Sequence, residues 1–471
     1  MKKIYIIDIF LLLGLACLCY LTFFHHLGEF SIRPWDEGRN GVNAIEMLSN
    51  KKWLVTYFNW LPDMWNVKPP LHIWTVALFF KVLGISELSL RLPSAISASI
   101  IVLAIYLVGK YILKNRWMGL LGALILLSSM GFPEIHIGRT GDYDAMLTMW
   151  VFGAIIFSFL YLEKWKKKNL FLAGLFWLLA VMTKGVAGLM MMPALLIYTL
   201  ITGNLFKVLK DKYFWLTILM MVLMVAAYYL GREHFNPGYL NAVWNEEFFG
   251  RYQRDIGSGG ADFWYFWKLL ASFRFQKWIY FVPLSILGYF LSKEKILKNW
   301  ILLTYLATVS YFVIISGSQT KQYWYDAQLY PLASLLIAIL IVLILGKIHW
   351  IGRWIPIIIL MFYMQRYIRT NLAFINRPDL DKDNSCLKYG YLFRDRSIDK
   401  SGFKVVHNEN TCFALQFYVD QNNLFRKEIS GIKKGDKILT CDSGTLDNIQ
   451  KLYKTKDIFV SQNGCVGLEV E

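Results

Sequence analysis

Two adjacent carboxylates follow the first long apolar run of the chain. The stretch 31–53, SIRPWDEGRNGVNAIEMLSNKKW, places Asp36 and Glu37 next to Pro34 and Trp35. Ionisable groups beside the hydrocarbon of a membrane are costly and usually mark function. A carboxylate in such a position is suited to take a proton from an attacking hydroxyl or amine. The pair is therefore a candidate general base.

Other polar residues fall between later apolar runs, where they can share one membrane face with this pair. Carboxylates suit proton transfer, whereas lysine, arginine and tyrosine suit a phosphate head group, which they hold through charge-assisted hydrogen bonds. Together they indicate group transfer from a lipid phosphate, although each residue alone also fits a solvated helix end. These residues are Lys68, His136, Arg139, Asp142, Asp144, Lys184, Glu246, Glu247, Arg251, Arg254, Lys321, Tyr323 and Tyr325.

The histidines do not follow a metal-binding pattern. His25 and His26 are adjacent, and His72, His136 and His234 are far apart in the sequence. Structural zinc sites usually take their ligands at short, regular spacings. The sequence therefore predicts no metal site.

The composition is typical of a chain that folds in a lipid bilayer. Its 471 residues are 56% hydrophobic and 18% charged, and a soluble globular protein is less apolar than this. The mean hydropathy is +0.40. The formal charge of +17 does not indicate a nucleic-acid partner, because most basic residues lie in short clusters between apolar runs.

Eleven apolar runs of membrane-spanning character predict the topology. The first is an uncleaved N-terminal helix that follows two lysines. If each run spans once, the short basic loops all lie on the side of the N-terminus, as the positive-inside rule requires, and the C-terminal segment lies outside. The run 71–84 is shorter, and we expect it to lie at or dip into the outer surface; a true span there, with a compensating one elsewhere, would give twelve or thirteen. The other ten runs are 92–109, 117–132, 145–162, 170–182, 186–201, 213–230, 277–291, 299–316, 327–345 and 351–368.

The segment 370–471 is polar, with short apolar stretches of strand length between turn residues. We expect a small α/β or β domain outside the membrane. Its four cysteines, Cys386, Cys412, Cys441 and Cys465, can form two disulfides in any of three connectivities in an oxidising compartment.

The order of several motifs resembles a known family. The sequence resembles the integral-membrane glycosyltransferases of the GT-C fold, in particular the protein O-mannosyltransferases and the aminoarabinose transferase of lipid A. The similarity covers about residues 1–345. Its carriers are Asp36-Glu37-Gly38, Ala44, Met47, Trp53, Lys68-Pro69-Pro70-Leu71, Trp74, Glu87, Arg91-Leu92-Pro93-Ser94, Arg139 with Asp144, Lys184-Gly185 and the stretch from Lys321 to Pro331.

This resemblance implies an all-α polytopic membrane protein of the GT-C type, with about 11–13 transmembrane helices. The apolar runs and the resemblance together predict a membrane domain over 1–369, with outer loops 25–70 and 231–275, and the polar composition of 370–471 predicts an extracytoplasmic α/β domain there. The resemblance also implies a multi-pass protein of the bacterial cytoplasmic membrane, with its active site on the outer side.

The resemblance further implies an enzyme that moves a sugar from a polyprenyl-phosphate donor, such as an undecaprenyl-phosphate sugar, with inversion at the anomeric carbon. The acceptor would be lipid A, a protein or a cell-envelope glycan, and membrane lipids would surround the chain. Asp36 would be the catalytic carboxylate with Glu37 beside it, and Asp144 the second acid, with Asp142 as the near alternative. The residues implied at the donor phosphate are Lys68, Arg139, Arg251, Lys321, Tyr323 and Tyr325.

Two departures from the family pattern bear on the mechanism. A carboxylate that can bind metal in the lipid A branch is replaced by Val67, and Glu246 and Glu247 stand where that branch has a histidine. The sequence therefore argues against a metal-dependent mechanism and against lipid A as acceptor, without closing either question.

Two rival functions remain open at this point. An oligosaccharide ligase or oligosaccharyltransferase would take a whole glycan from a pyrophosphate carrier. A transporter or flippase of lipid-linked sugars predicts ionisable residues in the middle of spans and symmetry between the two halves, and the sequence has neither feature.

Overall fold

A computed structural model describes residues 2–134, 136–250, 262–349, 351–376, 384–407 and 412–471. The described chain is built mainly of helices, numbered here in chain order. They are α1 Lys2–Cys19, α2 Asp36–Asn50, α3 Leu71–Leu83, α4 Glu87–Leu107, α5 Arg116–Ser128, α6 Asp144–Lys164, α7 Lys167–Lys184, α8 Met192–Ile201, α9 Leu205–Lys210, α10 Lys212–Phe235, α11 Tyr239–Val243, α12 Tyr265–Leu269, α13 Phe281–Leu284, α14 Leu287–Leu291, α15 Lys295–Gly317, α16 Leu329–Lys347, α17 Trp354–Ile375, α18 Ser385–Arg394, α19 Phe413–Gln421 and α20 Ser443–Leu452.

Within the described residues, seven helical segments are long and apolar enough to cross a membrane. The other four predicted runs are helical as well: α5, α8, the broken segment from Gln276 to Leu291, and α17. Helix α17 ends at Ile375 and therefore extends past the predicted domain boundary at 369/370. The seven segments are Ile6–Phe24, Glu87–Ile112, Asp144–Lys164, Lys167–Leu189, Lys212–Phe235, Lys295–Gly317 and Leu329–Lys347.

An ionic cluster joins the N-terminal helix to the first predicted basic loop. The carboxylate of Asp8 lies 3.0 Å from Lys110 Nζ and 3.1 Å from an Arg116 guanidinium nitrogen. The Tyr106 hydroxyl donates a hydrogen bond to the same carboxylate, at 2.6 Å. The start of α1 and the loop 110–116 therefore lie at the same end of the bundle, as the charge pattern predicts.

Helix α3 is the predicted surface helix. One face is buried through Ile73, Val76 and Phe80 in a core that α3 shares with α2 and the C-terminal domain, while Leu78 and Val82 on the other face are exposed. Its 13 residues are too few to cross the hydrocarbon core.

The predicted outer loop 25–70 is largely folded. It contains α2 and a two-stranded hairpin, β1 (Tyr57–Phe58) and β2 (Leu61–Pro62). Helix α2 packs against α19 of the C-terminal domain at Gly38, where a Cβ atom would lie 2.5 Å from the Ala414 nitrogen. The Phe413 N–H also donates to the Pro34 carbonyl at 2.9 Å. The C-terminal domain thus sits directly on the segment that carries the paired acids.

The C-terminal domain is the expected α/β unit. Its sheet has the order β4-β3-β5-β7-β6, in which β3 is parallel to β4 and β5, and β7 is antiparallel to β5 and β6. Of the three open connectivities, the structure forms the disulfides Cys386–Cys412 and Cys441–Cys465. The strands are β3 Phe403–Val405, β4 Phe425–Arg426, β5 Lys437–Thr440, β6 Thr455–Val460 and β7 Val466–Val470.

Candidate active site

A narrow polar cavity lies where the membrane bundle meets the first outer segment. It is formed by the start of α2, the chain after β2, the loop before α6, the start of α6, the end of α7 and the turn before α16. Several candidate site residues predicted from the sequence meet here. The lining residues are Asp36, Arg39, Asn40, Trp65, Asn66, Lys68, Asp142, Tyr143, Asp144, Lys184 and Trp324.

Asp36 is the first residue of α2, and its side chain reaches the cavity. About a third of the side chain is accessible (33%), whereas that of Asp142 is 4% accessible. Asp36 is therefore the better placed of the two acids to meet a substrate that enters from solvent.

Glu37 points away from the cavity and is fully buried. Its carboxylate accepts hydrogen bonds from Arg91 at 2.6 and 2.9 Å, from the Gly141 N–H at 2.9 Å and from the Arg33 N–H at 2.8 Å. A charge this well paired holds the segment before α2, α4 and the loop before α6 together. Proton transfer by Glu37 would require the ion pair with Arg91 to break.

His136, which the sequence predicts on the same membrane face without a defined role, is also a member of the site. Its Nδ1 lies 3.3 Å from an Asp142 oxygen and 4.0 Å from an Asp36 oxygen. Its ring stacks on Trp324 with centroids 3.9 Å apart and meets the edge of Tyr323. Burial by itself would lower the pKa of His136, but the two carboxylates outweigh it and raise that pKa.

Asp144 and Lys184 form an ion pair inside the cavity. Lys184 Nζ donates to both carboxylate oxygens of Asp144, at 2.7 and 2.8 Å. Both side chains are at most 10% accessible. The pair joins the start of α6 to the end of α7, and its two charges largely cancel.

Lys68 lies near the end of the outer loop 25–70, and it lines the cavity. Its ammonium group lies 5.8 Å from the Trp65 ring centroid, 5.5 Å from that of Tyr143, and 4.0 Å from a Glu247 oxygen. Aromatic faces attract a cation without cancelling its charge. Lys68 thus brings an ammonium group to the cavity wall, with the Glu247 carboxylate beside it.

Arg39 anchors the neighbouring wall. Its guanidinium donates two hydrogen bonds to Asp63, at 2.9 and 2.6 Å, and lies 4.3 Å from the Phe58 ring and 5.1 Å from the Phe413 ring. This arrangement fixes the hairpin and the C-terminal domain against the cavity.

The remaining predicted phosphate ligands have other contacts. Arg139 donates hydrogen bonds to the carbonyls of Thr22 and His25 at 2.8 Å, and so caps the C-terminal end of the first membrane-spanning segment. Lys321 Nζ donates to the Ser318 carbonyl at 2.6 Å.

The two predicted tyrosines flank the cavity wall. The ring of Tyr323 lies under the guanidinium of Arg274, and the ring of Tyr325 lies 5.4 Å from Lys184 Nζ. Arg251 lies outside the described residues.

Three side chains of the site have the donor types of a divalent-metal centre. The closest ligand atoms of Asp36, His136 and Asp142 lie within 4.8 Å of one another. The buried Nδ1 of His136 makes no regular hydrogen bond to any described residue. Two carboxylates and one imidazole fit a divalent cation such as Zn²⁺.

Comparison with known proteins agrees with the motifs and the fold. Residues 67–230 match the family described as dolichyl-phosphate-mannose-protein mannosyltransferase. An undecaprenyl phosphate-alpha-4-amino-4-deoxy-L-arabinose arabinosyl transferase 2 of Proteus mirabilis is 24% identical over 314 residues, 66% of this chain and 56% of the relative. An uncharacterized protein of Aquifex aeolicus is 28% identical over 225 residues, 46% of this chain and 43% of the relative. The chain thus spans about half the length of the curated relatives it matches.

Solved structures match over the whole chain. ArnT from Cupriavidus metallidurans, bound to undecaprenyl phosphate, has a TM-score of 0.74 at 14% identity and covers 97% of both chains. The oligosaccharyltransferase of Archaeoglobus fulgidus, in complex with Zn and sulfate, has a TM-score of 0.58 at 13% identity, over 98% of this chain and 73% of that one.

The fold is that of the GT-C membrane glycosyltransferases. The sequence matches are to proteins described as mannosyltransferases and aminoarabinose transferases, the same groups that the sequence motifs resemble. The seven long apolar helices among the described residues indicate a multi-pass membrane protein.

Proposed function

We propose that this protein is a glycosyltransferase that moves one sugar from a polyprenyl-phosphate donor to an acceptor on the outer side of the cytoplasmic membrane. The observation that carries the proposal is the placement of an accessible carboxylate, Asp36, in the same cavity as Lys68 and the Asp144–Lys184 pair. The likeness to an ArnT structure bound to undecaprenyl phosphate supports the class of donor.

The proposed reaction is a single displacement. An acceptor oxygen attacks the anomeric carbon, the bond between that carbon and the donor phosphate oxygen breaks, and the polyprenyl phosphate leaves with both electrons of the bond. Asp36 takes the proton of the acceptor hydroxyl, since a general base must reach the proton directly or through one water molecule. Attack from the face opposite the leaving phosphate inverts the anomeric centre.

Lys68 is the proposed contact to the leaving phosphate. The dianion that forms as the bond breaks gains most from a fixed positive charge in a cavity of low dielectric. Lys321, Tyr323 and Tyr325, on the adjoining turn, are the further proposed contacts to this phosphate, whereas Lys184 neutralises Asp144. Asp142 and His136 would orient the carboxylate of Asp36, because His136 lies between Asp142 and Asp36.

A divalent cation, if bound, would be held by Asp36, His136 and Asp142. It would supply Lewis-acid polarisation of a hydroxyl.

The relative positions in the fold support the proposed orientation. The C-terminal domain and the cavity lie together at the start of α2, whereas Lys110 and Arg116 lie at the opposite end of the bundle, with the start of α1. Basic loops face the cytoplasm in bacterial inner-membrane proteins. The cavity and the disulfide-containing domain would then face the periplasm, where disulfides persist.

Transfer from a radiolabelled undecaprenyl-phosphate sugar by purified protein tests the proposal. We expect Asp36→Asn to lower kcat by about a hundredfold or more, as for a lost general base. Lys68→Gln should weaken transfer too, because the leaving phosphate loses its counter-charge. The exposed Asp447→Asn is the matched control, and it should transfer at the wild-type rate.

Three results would overturn this function or the role assigned to Asp36 in it. Full activity of Asp36→Asn would remove the proposed base and make Asp144 the candidate. Failure of the wild type to consume any monophosphate-linked sugar, with turnover of a pyrophosphate-linked oligosaccharide instead, would make the protein an oligosaccharide ligase. Movement of lipid-linked sugar across the bilayer without transfer would make it a transporter.

A further inference from the structure

A second cavity, of about 580 Å³, lies between the C-terminal domain and the tip of the β1–β2 hairpin. It shares no lining residue with the candidate active site among the described residues. Its polar lining residues are Asn59, His407, Gln416, Arg426, Lys427, Glu428 and Ser430.

The cavity lies at the carboxyl ends of two parallel strands. Arg426 ends β4, Lys427 follows it, and the neighbouring strand β3 ends at Val405, one residue before the lining residue Val406. In open α/β sheets, ligands bind in the crevice outside the carboxyl ends of parallel strands. The position of the cavity is therefore typical of a binding site.

Arg426 gives the cavity its chemical character. It is half-buried, and within the part of the chain that the structure describes its guanidinium has no hydrogen bond, ion pair or ring contact. Burial lowers the pKa of Arg426, which reflects the loss of water around its charge. A partly dehydrated cation without a carboxylate is costly, and a bound anion would offset that cost.

The residues around Arg426 favour an anion that carries hydroxyl groups. Lys427 adds a second positive charge and is held in place by its ion pair with Asp436. Asn59, Gln416 and Ser430 offer neutral hydrogen-bonding groups, which suit sugar hydroxyls. Glu428 is acidic, but it is exposed to solvent, where its charge is screened.

We propose that this cavity binds a phosphorylated saccharide, with Arg426 as the principal contact to the phosphate. Phosphate accepts several charge-assisted hydrogen bonds at once, and a guanidinium can supply two of them in parallel.

The cavity is coupled to the active site through the hairpin. Asn59 follows Phe58, whose ring lies 4.3 Å from the Arg39 guanidinium, and Arg39 lines the active-site cavity. We therefore assign the ligand as the anionic part of the acceptor; this assignment rests on the proposed function, whereas the binding of phosphate does not.

Calorimetric titration of the full chain in detergent tests the binding. The probes are glucose 6-phosphate, inorganic phosphate, glucose, and phosphatidic acid in mixed micelles. We expect glucose 6-phosphate to bind more tightly than inorganic phosphate, and Arg426→Gln to weaken its binding at least tenfold. Arg396→Gln, which removes the same charge from an exposed position of the same domain, should bind as the wild type does.

Further measurements separate binding from folding and from transfer. Arg426→Lys keeps the charge, and it should restore part of the affinity that Arg426→Gln loses. Asp36→Asn should bind glucose 6-phosphate normally even though it does not transfer sugar, so a failure of the proposed function leaves this result readable.

Three outcomes would overturn the proposal. They are absence of glucose 6-phosphate binding, equal binding by Arg426→Gln and the wild type, and displacement of the sugar phosphate by phosphatidic acid, which would assign the cavity to a lipid head group.

Discussion

Arg91 holds Glu37 through two charge-assisted hydrogen bonds, from Nε at 2.6 Å and from a terminal guanidinium nitrogen at 2.9 Å. Both residues are almost completely buried. The same guanidinium also donates to the carbonyls of Leu27, Phe30 and Ser31. The adjacent acids thus have different environments: Asp36 reaches the cavity, and Glu37 closes the structure behind it.

The first prediction separates these two acids. Glu37→Gln leaves the Arg91 charge buried without its counter-charge, and breaking a buried pair in this way costs roughly 3–5 kcal/mol. We expect a clear fall of the apparent Tm of the purified protein in detergent. Asp36→Asn, at an accessible position, should keep the wild-type Tm while it loses transfer activity.

A specific pattern would contradict this assignment. If Glu37→Gln melted at the wild-type temperature and yet transferred no sugar, Glu37 would take part in the chemistry and the structural role argued for it would be wrong.

Gly38 carries the second prediction. A Cβ atom at this position would lie 2.5 Å from the Ala414 nitrogen and 2.7 Å from the Phe413 carbonyl carbon, which are backbone atoms and cannot rotate away. Gly38→Ala should therefore push α19 off α2, at a cost of about 1–3 kcal/mol for the overpacking. Limited proteolysis should release the C-terminal domain of this variant faster than that of the wild type.

Gly14→Ala provides the comparison, because Gly14 also lies in a helix but a Cβ atom added there would have no neighbouring atom within 4 Å. It should be neutral or slightly stabilising, since alanine has the higher helix propensity. Equal proteolysis of both variants would show that the close packing of α2 on α19 does not hold the domains together.

Much of this architecture could be predicted from the sequence. The eleven apolar runs are all helical, and α3 lies at the surface, because length and hydropathy determine which segments can span. The resemblance also predicted Asp36, Lys68 and Asp144 as site residues, and in the structure these three line one cavity. These features depend on local composition or on motif order, and both are visible in a single chain.

The parts that escaped prediction depend on pairing between distant segments. The Glu37–Arg91 pair joins residues 54 positions apart, and the Asp144–Lys184 pair joins residues 40 apart. The histidines are scattered along the sequence, so their spacing assigned no role to His136. Asp142, in the same loop, was the one local indication of a partner. Spacing along the chain cannot show which ionisable groups neutralise each other, so it could not separate Glu37 from Asp36.

Glu46 carries a prediction about pH. Burial raises the pKa of this α2 carboxyl to about 7, and the charges of Asp420 and Asp63 act in the same direction, against the hydrogen bond donated by the Trp60 N–H. The unfolded value is about 4.3. An acid with a raised pKa in the folded state contributes stability below the unfolded pKa, and that contribution is lost as the pH rises through about 7, to a total of roughly 3 kcal/mol.

The wild-type apparent Tm should accordingly fall between pH 5.5 and pH 8, and the fall should be smaller in Glu46→Gln. The carboxamide oxygen can still accept the Trp60 hydrogen bond, so the substitution removes the charge and keeps the contact. Asp447→Asn, at an exposed position, should show the wild-type pH dependence. A slope in Glu46→Gln equal to that of the wild type would mean that Glu46 is not the group that titrates.

The last prediction concerns metal dependence. The Nδ1 of His136 can hold a proton or a divalent cation, since Asp36 and Asp142 favour positive charge there in either form. Because these carboxylates outweigh burial and raise the pKa of His136, we expect the proton to occupy this position at pH 6.5. Transfer activity should then survive dialysis against EDTA, and metal analysis of the active protein should find less than one equivalent. Loss of activity on chelation, restored by Zn²⁺ or Mn²⁺ in the wild type but not in His136→Gln, would show instead that the three residues form a metal centre.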